Sequence, residues 1–190
     1  MGKRLGRKRL YTLDKLGEKS TKSVGAGNAS IVGSQTQKRQ GSELITEILI
    51  DLGSSAGAAS CFGDHATGLI IGNTVGEEGG IVTIAQATHG VVTDVEFICL
   101  ETPLNGDADI DIAMNNAGTN LVSGSSAATT IIQAGGNLGI GVSKAYAATA
   151  SLDTQVLTLR SGHASDPTDG AYGGGKFILR LYGHEVFDDL

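Results

Sequence analysis

The chain contains no tryptophan, only two prolines and two cysteines, and just four Phe and four Tyr among its 190 residues. So few aromatic rings argue against a sugar-stacking platform, and so few prolines argue against polyproline linkers. Cys61 and Cys99 lie among apolar or small residues without CxxC spacing, which points to reduced, buried thiols instead of a disulfide framework or a zinc knuckle. No stretch is apolar for long enough to cross a bilayer, so no membrane partner is expected. The opening MGKRLGRKRL is followed by no apolar run and does not read as a secretory leader. Gly6 stands where a myristoylation pattern needs Ser or Thr. There is no internal repeat.

Positive charge is scarce beyond position 40. Residues 1–40 hold ten Lys or Arg against Asp14 and Glu18, a balance of +8; the remainder holds four (Lys144, Arg160, Lys176, Arg180) against eighteen acids, a balance of −14. The net charge of −6 hides two electrically opposite regions. Residues 1–42 carry scattered Leu side chains and then the polar tract KSTKSVGAGNASIVGSQTQKRQGS, too poor in apolar material to build a core. The expected organisation is an extended basic N-terminal arm over 1–42, held by a larger assembly, and a folded body over 43–190.

What the body has in quantity is β-branched residues punctuated by glycine, of which the chain has 29. In ELITEILIDL, strand spacing aligns Leu44, Thr46, Ile48, Ile50 and Leu52, whereas helical spacing would cluster Leu44, Ile45, Ile48, Leu49 and Leu52. The β-branched content favours the strand. GLIIG, GIVTIAQA, VVTDVEFICLE, ADIDIAM, ATTIIQA, TQVLTLRS and KFILRLYG read as further short strands between Gly, Asn, Asp and Ser clusters. In VVTDVEFICLE the alternation puts Val91, Thr93, Val95, Phe97 and Cys99 on one face, with Val92, Asp94, Glu96, Ile98 and Leu100 on the other. KAYAATASLDTQ has room for a short helix. No long helix alternates with the strands, which excludes a parallel βαβ architecture. The fold class is mainly β: an antiparallel β-sandwich, jelly-roll-like in its connections.

The motifs that resemble chemistry are weak. GSSAG at 53–57 matches G-x-S-x-G, with Ser55 as nucleophile and His65, His89, His163 and His184 as candidate bases. Yet AASCFGDHATG follows where a hydrolase needs a long helix. A plain turn is the preferred reading. Asp107, Asp109 and Asp111 recur at every second position, but Ile112 and Gly118 stand where an EF-hand loop needs Gly and Glu. On a strand, these carboxylates share one face and Ala108, Ile110 and Ile112 the other, so a solvated or partner-facing edge is expected over a metal site. GGGK at 173–176 lacks the Ser or Thr and the helix of a P-loop, and reads as a flexible lead into the next strand; GGNLGIG at 135–141 is equally unspecific. The motifs call for no catalytic residues, cofactor or metal.

The arm is therefore the strongest candidate for partner binding. Lys3, Arg4, Arg7, Lys8, Arg9, Lys15, Lys19 and Lys22 supply cations, and Leu5, Leu10, Leu13 and Leu16 supply apolar anchors. Such a segment suits an acidic protein surface, with Leu residues in small pockets and cations against carboxylates. The alternative is a nucleic-acid arm that neutralises phosphates through counterion release.

The stretch VEFICLETPLNGDADIDIAMN, with LRSGHASDPTDGAYGGGKFILRLYGHEVF near the C-terminal end, resembles the body of capsid decoration, or cement, proteins of tailed bacteriophages, particularly marine phages. The shared pattern is an acidic strand with IDI, a D-G-x-Y turn and a closing strand G-K-F-I-L-R-L-Y-G, and it covers about half the chain. The resemblance implies a non-enzymatic β-sandwich module of the virion, made in the host cytoplasm. It further implies assembly as a homotrimer on the shell, with the major capsid protein as partner. The basic arm lies outside the matched region.

Overall fold

The computed structural model describes residues 19–21, 32–53, 62–63, 70–72, 80–104, 107–116, 121, 129–162 and 170–185. The chain is mainly β, with two principal antiparallel sheets, an arrangement compatible with a β-sandwich. The six-stranded sheet has the order β1 (Lys19–Thr21), β2 (Val32–Gln40), β3 (Glu43–Asp51), β12 (Gly174–His184), β6 (Val91–Leu104), β9 (Ser143–Ala147). The four-stranded sheet has the order β5 (Gly80–Thr83), β10 (Gln155–Ser161), β7 (Ile110–Asn116), β8 (Thr129–Ile132). Two short strands, β4 (Phe62–Gly63) and β11 (Gly170–Ala171), pair with each other.

One core joins the two principal sheets. From the first come Ile48, Ile50, Val95, Phe97, Cys99, Phe177, Leu179 and Leu181; from the second Ile81, Val82, Ile110, Ile112, Leu157 and Leu159. Phe97 and Phe177 stack with ring centroids 4.9 Å apart. Period-two alternation produces this arrangement, because each strand turns every second side chain inward. In β3, Thr46, Ile48 and Ile50 are buried while Ile45, Glu47 and Leu49 face outward half-exposed, which settles ELITEILIDL as a strand.

Three details depart from the sequence expectation. KAYA, read as the start of a short helix, forms β9, because its backbone completes the ladder from Asp94↔Ala147 to Ile98↔Ser143 at the edge of β6. That tertiary pairing overrides the helical preference of alanine. The strict alternation proposed for VVTDVEFICLE breaks at Thr93: Tyr182 pairs Asp94 but Gly183 pairs Val92, and this bulge buries Val92 while leaving Val91 exposed. In GLIIG, Ile70 makes an isolated bridge to Arg160.

The six-stranded sheet also extends into the stretch assigned to the arm. Val32–Gln40 forms β2, a hairpin partner of β3 through the turn at Gly41 and Ser42, and Lys19–Thr21 pairs in turn with β2. β2 contributes little to the core, as its polar composition suggested, and is held chiefly by its backbone ladder.

A one-turn helix, α1 (Gln86–His89), lies against β3, β6 and β12. Gly90 ends it with φ of 69°, a conformation that favours glycine. The His89 carbonyl occupies the space where a Cβ on Gly183 would stand, so α1 rests directly on the β12 backbone. GGGK is no loose lead: Gly174 and Gly175 are buried within β12, and a Cβ on Gly53 would meet the Gly174 backbone at 2.6 Å.

Candidate functional site

The outward face of the six-stranded sheet carries cross-strand rows fixed by register. One row is Thr36, Glu47, Arg180, Glu96 and Ala145; the next on one side is Lys38, Ile45, Tyr182, Asp94 and Ala147; on the other side are Ser34, Leu49, Ile178, Ile98 and Ser143. A charged row thus lies beside an apolar one.

Arg180 holds the charged row together. Its Nε donates to Glu47 Oε2 at 2.7 Å and its Nη1 to Glu96 Oε2 at 3.3 Å. Tyr182 donates its hydroxyl to Glu96 Oε2 at 2.9 Å, Ser143 donates to Glu96 Oε1 at 2.7 Å, and Lys38 Nζ lies 3.8 Å from Glu47 Oε1. The Ser143 hydrogen bond is the main influence holding the Glu96 carboxyl below its ordinary range, against an opposing effect of burial. Burial, followed by the hydrogen bond to Glu96, pushes the Tyr182 phenol up. At the opposite end of the face, Lys176 Nζ donates to Glu101 Oε2 at 2.6 Å, and that bond holds the Glu101 carboxyl down.

Beside this network is an open depression of about 360 Å³ lined by Glu43, Thr93, Asp94, Val95, Glu96, Ala145, Tyr182 and His184. Glu43 and Asp94 have no ion-pair partner among the described residues. Across the whole face, six carboxylates (Glu43, Glu47, Asp51, Asp94, Glu96, Glu101) stand against three cations (Lys38, Lys176, Arg180). The face is therefore net acidic with half-exposed apolar side chains between its charges, a chemistry suited to binding a basic, amphipathic segment.

The aspartates of GDADIDIAM are placed differently from the expectation. Asp109 and Asp111 are buried, not displayed on a solvated edge, with Ala134 packed against Asp111 and Gly162 against Asp109. Asp111 Oδ1 accepts from Ala134 N at 2.8 Å, Asp107 Oδ1 accepts from Asp109 N at 2.9 Å, and the Ser161 hydroxyl donates to Asp107 Oδ2. Asp111 is pushed up first by burial; the negative charge of Asp109 adds to this and the cation of Arg160 opposes it. A Cβ on Gly162 would stand 2.8 Å from Asp109 Oδ1 and would displace that carboxylate. Among the described residues, no three acidic, imidazole or thiol side chains are arranged to hold a metal ion.

His89 is buried with its Nδ1 accepting from Ala85 N at 3.0 Å, and burial lowers its pKa. Cys99 is a buried free thiol, pushed up by its burial. His184 lies exposed at the end of β12. Ser55, His65, His163 and Cys61 lie outside the described residues. So do Lys3, Arg4, Leu5, Arg7, Lys8, Arg9, Leu10, Leu13, Lys15, Leu16 and Lys22; Lys19 is the first residue of β1. The sequence reading missed the Glu47–Arg180–Glu96 row. Its signal was that the charges within EILID, TDVEF and KFILRLY fall two or four residues apart and so on one strand face, but which charges meet depends on a strand order that no local pattern encodes.

No protein-family model matches this chain, nor does any curated protein or solved structure.

Proposed function

We propose that this chain is a virion structural protein, a capsid decoration or cement module that binds and stabilises a shell of major capsid protein, docking through its basic N-terminal arm. The observation that carries the proposal is the strand pairing. Leaving aside β1, β2 and the short β4–β11 pair, eight strands remain among the described residues. The first pairs with the last (β3 with β12), the second with the seventh (β5 with β10), the third with the sixth (β6 with β9), and the fourth with the fifth (β7 with β8). This nesting supports a jelly-roll reading, an architecture that recurs among viral capsid proteins. The resemblance of the acidic strand and the closing strand to phage decoration proteins points the same way, and with it comes assembly as a trimer on the shell.

The division of charge supports the docking role. Residues 1–31, with eight cations against Asp14 and Glu18, can engage a carboxylate-bearing protein surface while the acidic bodies keep unassembled copies apart. An arm that orders on docking must offset roughly 1–2 kcal/mol of backbone entropy per residue, so many cationic and leucine contacts act together. Binding of nucleic acid by the same arm is disfavoured by the acidic body, which repels phosphate.

The test pairs two assays of the purified chain. Co-sedimentation with phage shells stripped of accessory proteins is expected for the wild type and is lost when Lys3, Arg4, Arg7, Lys8 and Arg9 are changed to Glu. Electrophoretic shift of duplex DNA at moderate salt is expected to be absent. A clear DNA shift abolished by the same changes, with no shell binding, replaces this reading with the nucleic-acid one.

A further inference from the structure

We infer that, in the unassembled protein, the basic N-terminal segment of residues 1–18 lies across the acidic outer face of its own six-stranded sheet, with cations in the depression lined by Glu43, Asp94 and Glu96. The inference rests on the docking role proposed for the arm and adds a resting position for it.

Three observations lead here. The first is where the strand delivers the chain. Lys19 pairs Gln37, in the inward row that continues through Thr46, Leu181 and Val95. The run from Thr21 back to Lys19 is directed toward the outward row of Lys38, Ile45, Tyr182 and Asp94. From β1 to β6 are four strand spacings, roughly 19 Å at about 4.8 Å each. About six extended residues span that distance. Counted back from residue 18, the crossing carries Lys15 and Leu13 over β3 and β12 and leaves Arg7, Lys8 and Arg9 with slack to enter the depression.

The second is charge. Residues 1–18 hold six cations (Lys3, Arg4, Arg7, Lys8, Arg9, Lys15) against Asp14 and Glu18, whereas the face has three more carboxylates than cations. Arg180 is already engaged by Glu47 and Glu96, so of the carboxylates lining the depression Glu43 and Asp94 are left for an incoming cation. The third is apolar complementarity. Leu49, Ile178 and Ile98 form a half-exposed row beside the charged one, and Leu5, Leu10, Leu13 and Leu16 punctuate the segment. The same chain is favoured over a second copy because the β1 tether holds the segment at high effective concentration.

A latch of this kind keeps the arm from unproductive contacts until a shell surface competes for its cations. The experiment uses the full chain alone, without shells. Carbodiimide cross-linking of a mixture of isotopically light and heavy protein at low salt is expected to join Lys3, Lys8 or Lys15 to Glu43, Asp94 or Glu96, in peptides of one isotope only. The links disappear at high salt. Trypsin cleavage within residues 3–15 at low salt is expected to be about tenfold faster in the Glu43→Gln/Asp94→Asn variant than in the wild type, at unchanged melting temperature. Absence of these cross-links, or equal cleavage rates in a folded variant, overturns the latch. Cross-links of mixed isotope alone overturn it in favour of a second copy. Either result leaves the shell-binding assay to stand on its own, as a failure of shell binding leaves the latch.

Discussion

The carbonyl of His89 fills the position that a Cβ on Gly183 would take, so the loop that carries α1 lies against the bare backbone of β12. Neither backbone can yield, because β12 is paired on both sides and α1 is tied down by Gln37 Nε2 donating to the Thr88 carbonyl at 2.6 Å. Gly183→Ala is expected to cost about 3 kcal/mol or more, or to prevent folding. Gly139→Ala, whose Cβ would meet only Val142 at 3.9 Å, is expected to cost no more than about 1 kcal/mol. Chemical denaturation of the two variants checks the contrast.

Stability is expected to fall as pH drops below about 6.5. Burial lowers the His89 pKa in the folded state, so between the lowered folded value and the ordinary value the unfolded chain binds more protons. That proton favours unfolding, and the contribution is fully present above the unfolded pKa. One group changes stability by at most about 1.4 kcal/mol per pH unit. Denaturation midpoints between pH 7 and 5 should show the slope, and His89→Gln should flatten it.

Asp111 has the opposite sign. Its carboxyl is raised by burial, so its charge destabilises the fold at neutral pH and the penalty is relieved as pH falls through the raised value. Asp111→Asn keeps an acceptor for Ala134 N and removes the charge, and is expected to match or exceed wild-type stability at pH 7. Asp111→Ala strands that buried N–H and is expected to cost about 1–3 kcal/mol. Thermal melts of the pair separate charge from hydrogen bond.

The Arg180 network is partly exposed, so its energetic weight is modest. Arg180→Met is expected to destabilise by roughly 0.5–1.5 kcal/mol, with the methionine keeping much of the stem's packing. For the Glu96 carboxyl the hydrogen bond from Ser143 is the largest single influence, and Arg180 lowers it both by hydrogen bond and by charge. Carboxyl titration followed by NMR should therefore show an upward shift in Ser143→Ala and in Arg180→Met alike.

Much of the fold was legible because strand alternation is local. Spacing alone aligned Ile48 with Ile50 and Phe97 with Val95 and Cys99, and these are the buried faces; the helical alternative for ELITEILIDL fails because Ile45 and Leu49 face outward. What escaped was set by partners distant in sequence. KAYA became a strand because β6 offered an unpaired edge, Val92 replaced Val91 inside because a bulge opposite Gly183 shifts the register, and Asp109 and Asp111 are buried against Gly162 and Ala134, distant in sequence. The charge split between arm and body was visible in composition. The acidic face was not, because it needs Glu47, Arg180 and Glu96, drawn from three separate segments, in one row.

Cryo-electron microscopy of stripped phage shells incubated with the purified chain tests the docking claim most directly. The account predicts a two-sheet density on the shell surface with residues 3–16 traced as an extended segment against carboxylates of the capsid subunits. Shells that remain bare under saturating chain, or bodies bound with the segment making no capsid contact, would contradict it.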